Sequence, residues 1–196
     1  MLLGGMPAPR THRLVGPAIR WATVGDARAI AFVHIASWHA AYRGLMPDEV
    51  LDGLTIEGRE RDWQGWLAEG GARVNTLAAE RDGEIEAFCT LELPSREEDE
   101  PDTVAGIPAI YAHPDAFGRG AGPALLDAAI DAMREHGYTE AILWMVEGNR
   151  RAQAFYEGRG WHRDGGKRAA EYPGVTFEAG AEPIEIRFRR SLEASP

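Results

Sequence analysis

Residues 113–122 read His113-Pro114-Asp115-Ala116-Phe117-Gly118-Arg119-Gly120-Ala121-Gly122. An apolar run, Val104–Ala112, precedes this stretch and predicts a strand. Ala124–Glu135 follows it with Leu125, Leu126, Ala129, Ile130 and Met133 on one helical stripe. The predicted unit is therefore strand, glycine turn, helix. Glycines let the backbone curl until successive N–H groups point at one place. The start of the helix adds its positive dipole end, so a pyrophosphate fits such a turn, although a plain tight turn has the same composition. No Gly-Lys-Ser/Thr follows, which excludes a Walker loop. Gly118-Arg119-Gly120 continues as Ala121-Gly122-Pro123, which has no place for the third glycine of the dinucleotide fingerprint.

Downstream, Gly137 caps the helix and Ala141–Val146 is an unbroken apolar run, as a strand buried on both faces should be. Arg150–Glu157 predicts a helix. Ile184, Ile186 and Phe188 alternate with Glu185, Arg187 and Arg189 in a last strand. Upstream, Asp82-Gly83 turns a hairpin between Val74–Glu80 and a strand with Ile85, Ala87, Cys89, Leu91 and Leu93 on one face. Glu84, Glu86, Phe88, Thr90 and Glu92 take the other. Further back lie a short strand (Ala18–Thr23), a helix (Ala27–Tyr42) and a second helical stretch (Ile56–Glu69). The first helix carries two apolar stripes, Ile30 with Val33, and Phe32, Ile35, Trp38 and Tyr42, which places it between the core and a further surface. The order (strand, helices, three strands, helix, strand, helix, strand) predicts an α/β mixed sheet.

The segment Glu147-Gly148-Asn149-Arg150-Arg151-Ala152-Gln153-Ala154-Phe155-Tyr156-Glu157-Gly158-Arg159-Gly160-Trp161 supplies a second motif. Together with Tyr111–Gly122 it resembles the GCN5-related N-acetyltransferase (GNAT) family, whose phosphate turn is written Arg/Gln-x-x-Gly-x-Gly/Ala. Gly120 and Gly122 match the two glycines. Phe117 stands in place of the Arg or Gln, and Pro123 removes one N–H from the first helical turn. The resemblance spans roughly residues 18–189. It implies a mostly antiparallel sheet flanked by helices, with a splayed central strand pair forming an acetyl-CoA cleft. Cofactor contacts are expected from Tyr111, Ala112, Gly118, Arg119, Gly120, Ala121, Gly122, Asn149 and Tyr156. Arg119 is the candidate to return charge to the phosphates.

The resemblance also implies direct transfer of acetyl to an amine, with the Tyr156 phenol near the leaving sulfur. Without it, Tyr156 reads as packing with Ala152 and Phe155, and Asn149 as a helix cap. The stretch Ser37–Leu45 with Pro47 resembles a word of bacterial members, which makes Trp38, His39 and Tyr42 candidates for the acceptor pocket, with ordinary packing as the alternative. Gly106 replaces the Glu that many relatives carry before the phosphate turn. The candidates for the base are then Glu92, His39 or a chain of waters; histidine titrates near neutrality, whereas Glu92 would need a raised pKa.

The chain has 196 residues and reads as one domain at 17–190, with a disordered leader at 1–16 and a tail at 191–196. The formal net charge of −10 argues against nucleic-acid binding, which needs surplus Lys and Arg. It suits a cationic acceptor, although acidity also serves solubility alone. The acidic run Glu97–Glu100 would attract such an acceptor if it borders the pocket. No apolar run reaches the length of a membrane span. The single cysteine, Cys89, permits no intrachain disulfide and fits a reducing cytoplasm. The histidines show no metal-ligand spacing, and no metal is expected. The sequence thus predicts a cytoplasmic acetyl-CoA-dependent acetyltransferase of a small-molecule amine, and the resemblance admits a homodimer. A protein acetyltransferase and a non-catalytic acyl-CoA sensor are the alternatives.

Overall fold

The structure, a computed structural model, describes residues 16–69, 74–173 and 175–193. Most of the expected leader therefore lies outside the described residues. Seven strands form one sheet in the order β1-β2-β3-β4-β5-β7-β6. They are β1 (Ala18–Trp21), β2 (Val74–Arg81), β3 (Glu84–Glu92), β4 (Val104–Ala112), β5 (Glu140–Val146), β6 (His162–Ala169) and β7 (Ile184–Ser191). Every neighbouring pair is antiparallel except β4 and β5. The helices are α1 (Ala27–Tyr42), α2 (Asp48–Asp52), α3 (Ile56–Ala68), α4 (Ala121–Glu135) and α5 (Arg150–Glu157). Among the described residues no helix is long and apolar enough to cross a membrane.

The helices divide between the two faces. On one side Leu125, Leu126, Ala129 and Met133 of α4 pack with Ala87, Cys89 and Leu91 of β3, and with Leu143 and Met145 of β5. Tyr156 of α5 and Trp161 complete that core. On the other side Ile30, Ala31 and Val33 of α1 and Trp63 of α3 pack on Phe88. Strand β3 is thus covered on both faces, and the expected apolar-in, polar-out alternation is only half right. Phe88 is fully buried and sits 4.9 Å from the Trp63 ring. Ile85 joins Phe88 rather than Cys89. The cause is a bulge: Ala79 pairs with Ala87, but Glu80 pairs with Ile85, so the extra residue flips the strand's face.

Two elements were not expected. Helix α2 spans one turn inside what reads as a loop. Strand β6, His162-Arg-Asp-Gly-Gly-Lys-Arg-Ala169, has no apolar alternation; it is an edge strand whose charges face water and groups of opposite charge. It stays attached to β7 through Arg168–Glu185 (2.9 Å) and Asp164–Arg187 (2.8 Å). At the C-terminus, β7 runs to Ser191 and Leu192 is buried, so packing continues past the boundary expected at residue 190.

A histidine lies inside the second core. His34 of α1 is buried, and its Nδ1 accepts from the Trp63 indole N–H at 3.1 Å. The indole can only donate, so the neutral ring carries its proton on Nε2, which has no hydrogen-bond partner. Burial, with the nearby Arg59 cation, holds its pKa well below the usual value. The unfolded chain therefore binds a proton at a pH where the folded one does not. Stability from this site is complete above about pH 6.5 and falls as pH drops below it. Urea midpoints at pH 7.5 and 5.5 should show His34→Gln losing about 1 kcal/mol less than the wild type over that interval; parallel losses would contradict the assignment.

Candidate functional site

The parallel pairing of β4 with β5 ends at Ile107↔Leu143, although β4 continues to Ala112 and β5 to Val146. A second irregularity meets it there. Between Thr90↔Ala109 and Glu92↔Gly106 the β4 strand holds an extra residue, and Pro108 has no N–H to offer a ladder. The two strands diverge and leave a cleft of about 600 Å³. It is lined on one side by Ile107–Ala112, on another by Gly118, Gly120, Ala121 and Gly122, and on a third by Asn149–Ala152, Phe155 and Tyr156. Ser37, Tyr42 and Leu45 close the end nearest α1.

The open edge of β4 is specific. His113 N–H donates to Glu86 O at 2.8 Å. Alternation along the strand then turns the backbone groups of Tyr111 and Ala109 toward β3, and those of Ala112 and Ile110 toward the cleft. The expected backbone contact thus falls to Ala112 with Ile110, while Tyr111 contributes its side chain. The Tyr111 hydroxyl meets that of Tyr42 at 3.0 Å, and burial pushes its pKa up to about 12.

The glycine turn follows from sterics. Gly118 has φ 75° and Gly120 has φ 94°, a left-handed region costly to any residue with a Cβ. Gly120 is the N-cap of α4, so the N–H groups of Ala121 and Gly122 are first-turn donors with no partner inside the helix. Pro123 sits in that same turn, where its missing N–H costs nothing to the helix. An anion seated there would meet a ring of free N–H groups, and the cleft runs straight to it. Arg119 departs from expectation: its guanidinium turns away from the cleft toward Glu86 (3.9 Å), and its carbonyl accepts from Arg81.

Helix α5 carries the second motif. The Asn149 side chain accepts from Ala152 N–H at 3.1 Å and caps the helix, while the residue also borders the cleft. Tyr156 is buried against Phe155, Trp161 and Phe188, and its hydroxyl has no protein partner among the described residues. Burial raises its pKa, so the phenol keeps its proton. Cys89, fully buried with its pKa also raised, has the character of a core thiol.

The remaining predicted residues divide. Tyr42 lines the cleft; Trp38 lies just behind it, buried and 5.5 Å from the Tyr42 ring. His39 is on the outer flank of α1, where Nδ1 meets the Arg43 guanidinium at 3.1 Å. Glu92 does not line the cleft, but its carboxyl oxygen comes within 3.3 Å of where a Cβ on Gly106 would sit. It thus fills space beside the last paired residues of β4, on the α1 face of the sheet. Burial raises its pKa. The acidic run does not border the cleft as a free patch. Glu97 binds Arg168 (2.7 Å) and the Trp144 indole (2.9 Å), Asp99 binds Arg187, and Glu100 binds Arg187 and Arg189. Sequence reasoning missed Tyr172, whose ring lies 4.9 Å from Trp38 and whose hydroxyl donates to Glu185 at 2.9 Å. It lies in an irregular, Pro- and Gly-containing stretch with no periodicity to mark it. Among the described residues no three His, Cys, Asp or Glu side chains gather as metal ligands.

Known proteins share the sequence pattern and the fold. The sequence model of the acetyltransferase (GNAT) family matches residues 19–161. The uncharacterized N-acetyltransferase YuaI of Bacillus subtilis is 28% identical over 131 residues, which covers 67% of this chain and 72% of that protein. Among solved structures, the PaiA N-acetyltransferase of Thermoplasma acidophilum in complex with coenzyme A superposes with a TM-score of 0.69 at 18% identity, covering 90% of this chain and 99% of that one. YncA of Salmonella typhimurium, solved with acetyl-CoA, gives 0.64 at 18% identity, covering 93% and 98%. At such identities the structural likeness speaks for the fold. The cap of α5 offers a direct check: Asn149→Ala should lower unfolding stability by about 1 kcal/mol, while Asn149→Asp, which keeps an acceptor at the cap, should lower it little.

Proposed function

The chain belongs to the GNAT acetyltransferase family and is an acyltransferase, and we propose that its cleft binds acetyl-CoA and transfers the acetyl group to the primary amine of a small molecule. The observation that carries this reading is the unpaired edge of β4 running to a turn of free N–H groups. An extended pantetheine chain pairs along such an edge as an added strand does, and the turn receives the pyrophosphate. Asn149 borders the same channel. The Ala112 N–H, turned into the cleft, is the donor for negative charge developing on the thioester oxygen.

The Tyr156 hydroxyl, free of protein partners among the described residues and held protonated by burial, donates to the leaving thiolate. Of the two residues among the three expected bases, Glu92 is favoured over His39. It shares the α1 face of the sheet with Trp144 and Val146, and its raised pKa brings it toward neutrality. It takes the amine's proton through intervening water, since it does not itself line the cleft. A small acceptor is favoured over a protein because Tyr172, Val175 and Phe177 pack on the cluster of Trp38, Tyr42 and Leu51 and cover that end of the site.

Calorimetric titration with acetyl-CoA should give one-to-one binding, and an amine screen should give turnover. Tyr156→Phe should keep the fold and the binding, because the ring packing survives, and should lower kcat about 100-fold. The acid limb of the kcat/KM profile should disappear in Glu92→Gln, because lowering the pH inactivates the wild type by protonating that carboxylate. A folded protein that binds neither acetyl-CoA nor CoA would end the enzyme reading. Binding without turnover of any amine would leave the sensor reading in its place.

A further inference from the structure

Phe117 opens the phosphate turn with an apolar ring where charge would serve an anion. The ring is not bare. The guanidinium carbon of Arg151, from the first turn of α5, lies 3.3 Å from its centroid, and both residues line the cleft. At 3.3 Å from the centroid the guanidinium has room only to lie against the ring face, since an edge-on fork would drive its nitrogens into the ring, and that arrangement spends none of its five in-plane N–H donors. Arg151 is exposed and forms no ion pair or hydrogen bond among the described residues. Other arginines of the chain are engaged. Arg20, Arg43, Arg168, Arg187 and Arg189 each hold a carboxylate, as expected in a protein of net charge −10. The stacked Arg159 donates to the Phe155 carbonyl at 3.3 Å. Arg151 is oriented by a ring alone and keeps its donors unspent at the mouth of the phosphate turn.

We propose that Arg151, held flat on Phe117, is the cationic ligand of the donor's phosphates, and that Phe117 serves as its platform. Two elements then do what one side chain of the turn would do: α5 brings the charge and the turn fixes its plane. Arg119, the cation inside the turn itself, faces Glu86 and is not needed for this. The inference rests on the acetyl-CoA reading and adds the residue that reads the phosphates. Coenzyme A offers two such groups, the pyrophosphate and the ribose 3′-phosphate, and both present the same chemistry to a guanidinium.

Titration with CoA and with dephospho-CoA, on the wild type, Arg151→Ala, Phe117→Ala and the double variant, tests the proposal. Circular dichroism confirms that each variant is folded. Arg151→Ala should weaken CoA binding about 10-fold or more and flatten its salt dependence. Loss of affinity for both ligands assigns Arg151 to the pyrophosphate; loss for CoA alone assigns it to the 3′-phosphate. Phe117→Ala should weaken binding less, and should add nothing in the Arg151→Ala background if its role is to hold the guanidinium. Wild-type binding of CoA with unchanged affinity in Arg151→Ala overturns the assignment and leaves the acetyl-CoA reading standing. Additive losses in the double variant overturn the platform role. Absence of CoA binding by the wild type overturns both.

Discussion

Hydrogen bonding between β4 and β5 stops after Ile107↔Leu143, and the rest of the site depends on that interruption. A sheet normally pairs every interior strand, because unpaired N–H and C=O groups cost free energy unless water or a ligand meets them. Here Pro108 withdraws a donor and the bulge at the same place bends the strand. The antiparallel ladder to β3 keeps β4 in place, so the strand diverges on one side only. The outcome is an edge inside a sheet rather than at its rim, framed by α4 on one face and α1 on the other. The glycine turn then lies at the end of that edge because α4 must start there to return across β3 and β4.

Charge is organised around the far half of the sheet. The strands β6 and β7 carry Arg168, Arg187 and Arg189, and the loop before β4 carries Glu97, Asp99 and Glu100. These meet in a linked set that includes Asp164 and Glu140. Isolated exposed pairs of this kind contribute little, but Glu100 is nearly buried and shared between two guanidinium groups, and Asp164 likewise. The network fastens an acidic loop across β6 and β7, and β6 has no apolar alternation of its own to hold it. Much of the chain's acidity is therefore spent within the fold, which weakens the inference from net charge to a cationic acceptor.

The sequence shows most clearly what periodicity and glycine encode. The bounds of α1, α5 and β4 agree with the hydrophobic pattern and the breakers around them, and the two motifs locate the cleft's walls. Three kinds of feature were illegible. Strand β6 is stabilised by partners distant in sequence and has no pattern of its own. The face of Ile85 depends on a bulge, which one residue of register decides and composition does not. The destinations of Arg119, Arg151 and the acidic run depend on which partner each finds in space. Arg119 sits in the motif and turns away; Arg151 sits one helix further on and reaches back. Proximity in sequence to a glycine turn thus does not decide which cation lies against it.

The two groups proposed to move protons illustrate how one physical effect yields opposite roles. Burial raises the pKa of both Glu92 and Tyr156 by disfavouring the charged form. For a carboxylate, an upward shift strengthens the base and brings it toward the pH at which an amine must lose its proton. For a phenol already protonated at neutrality, the same shift removes any role as a base and leaves a donor. They also lie on opposite faces of the sheet: Glu92 on the α1 side with Trp144, Tyr156 in the core beneath α4. Past Ile107↔Leu143 the gap between β4 and β5 opens between these faces. In the proposed reading a thioester held there would meet the amine from the α1 side and the phenol from the α5 side, as direct transfer requires.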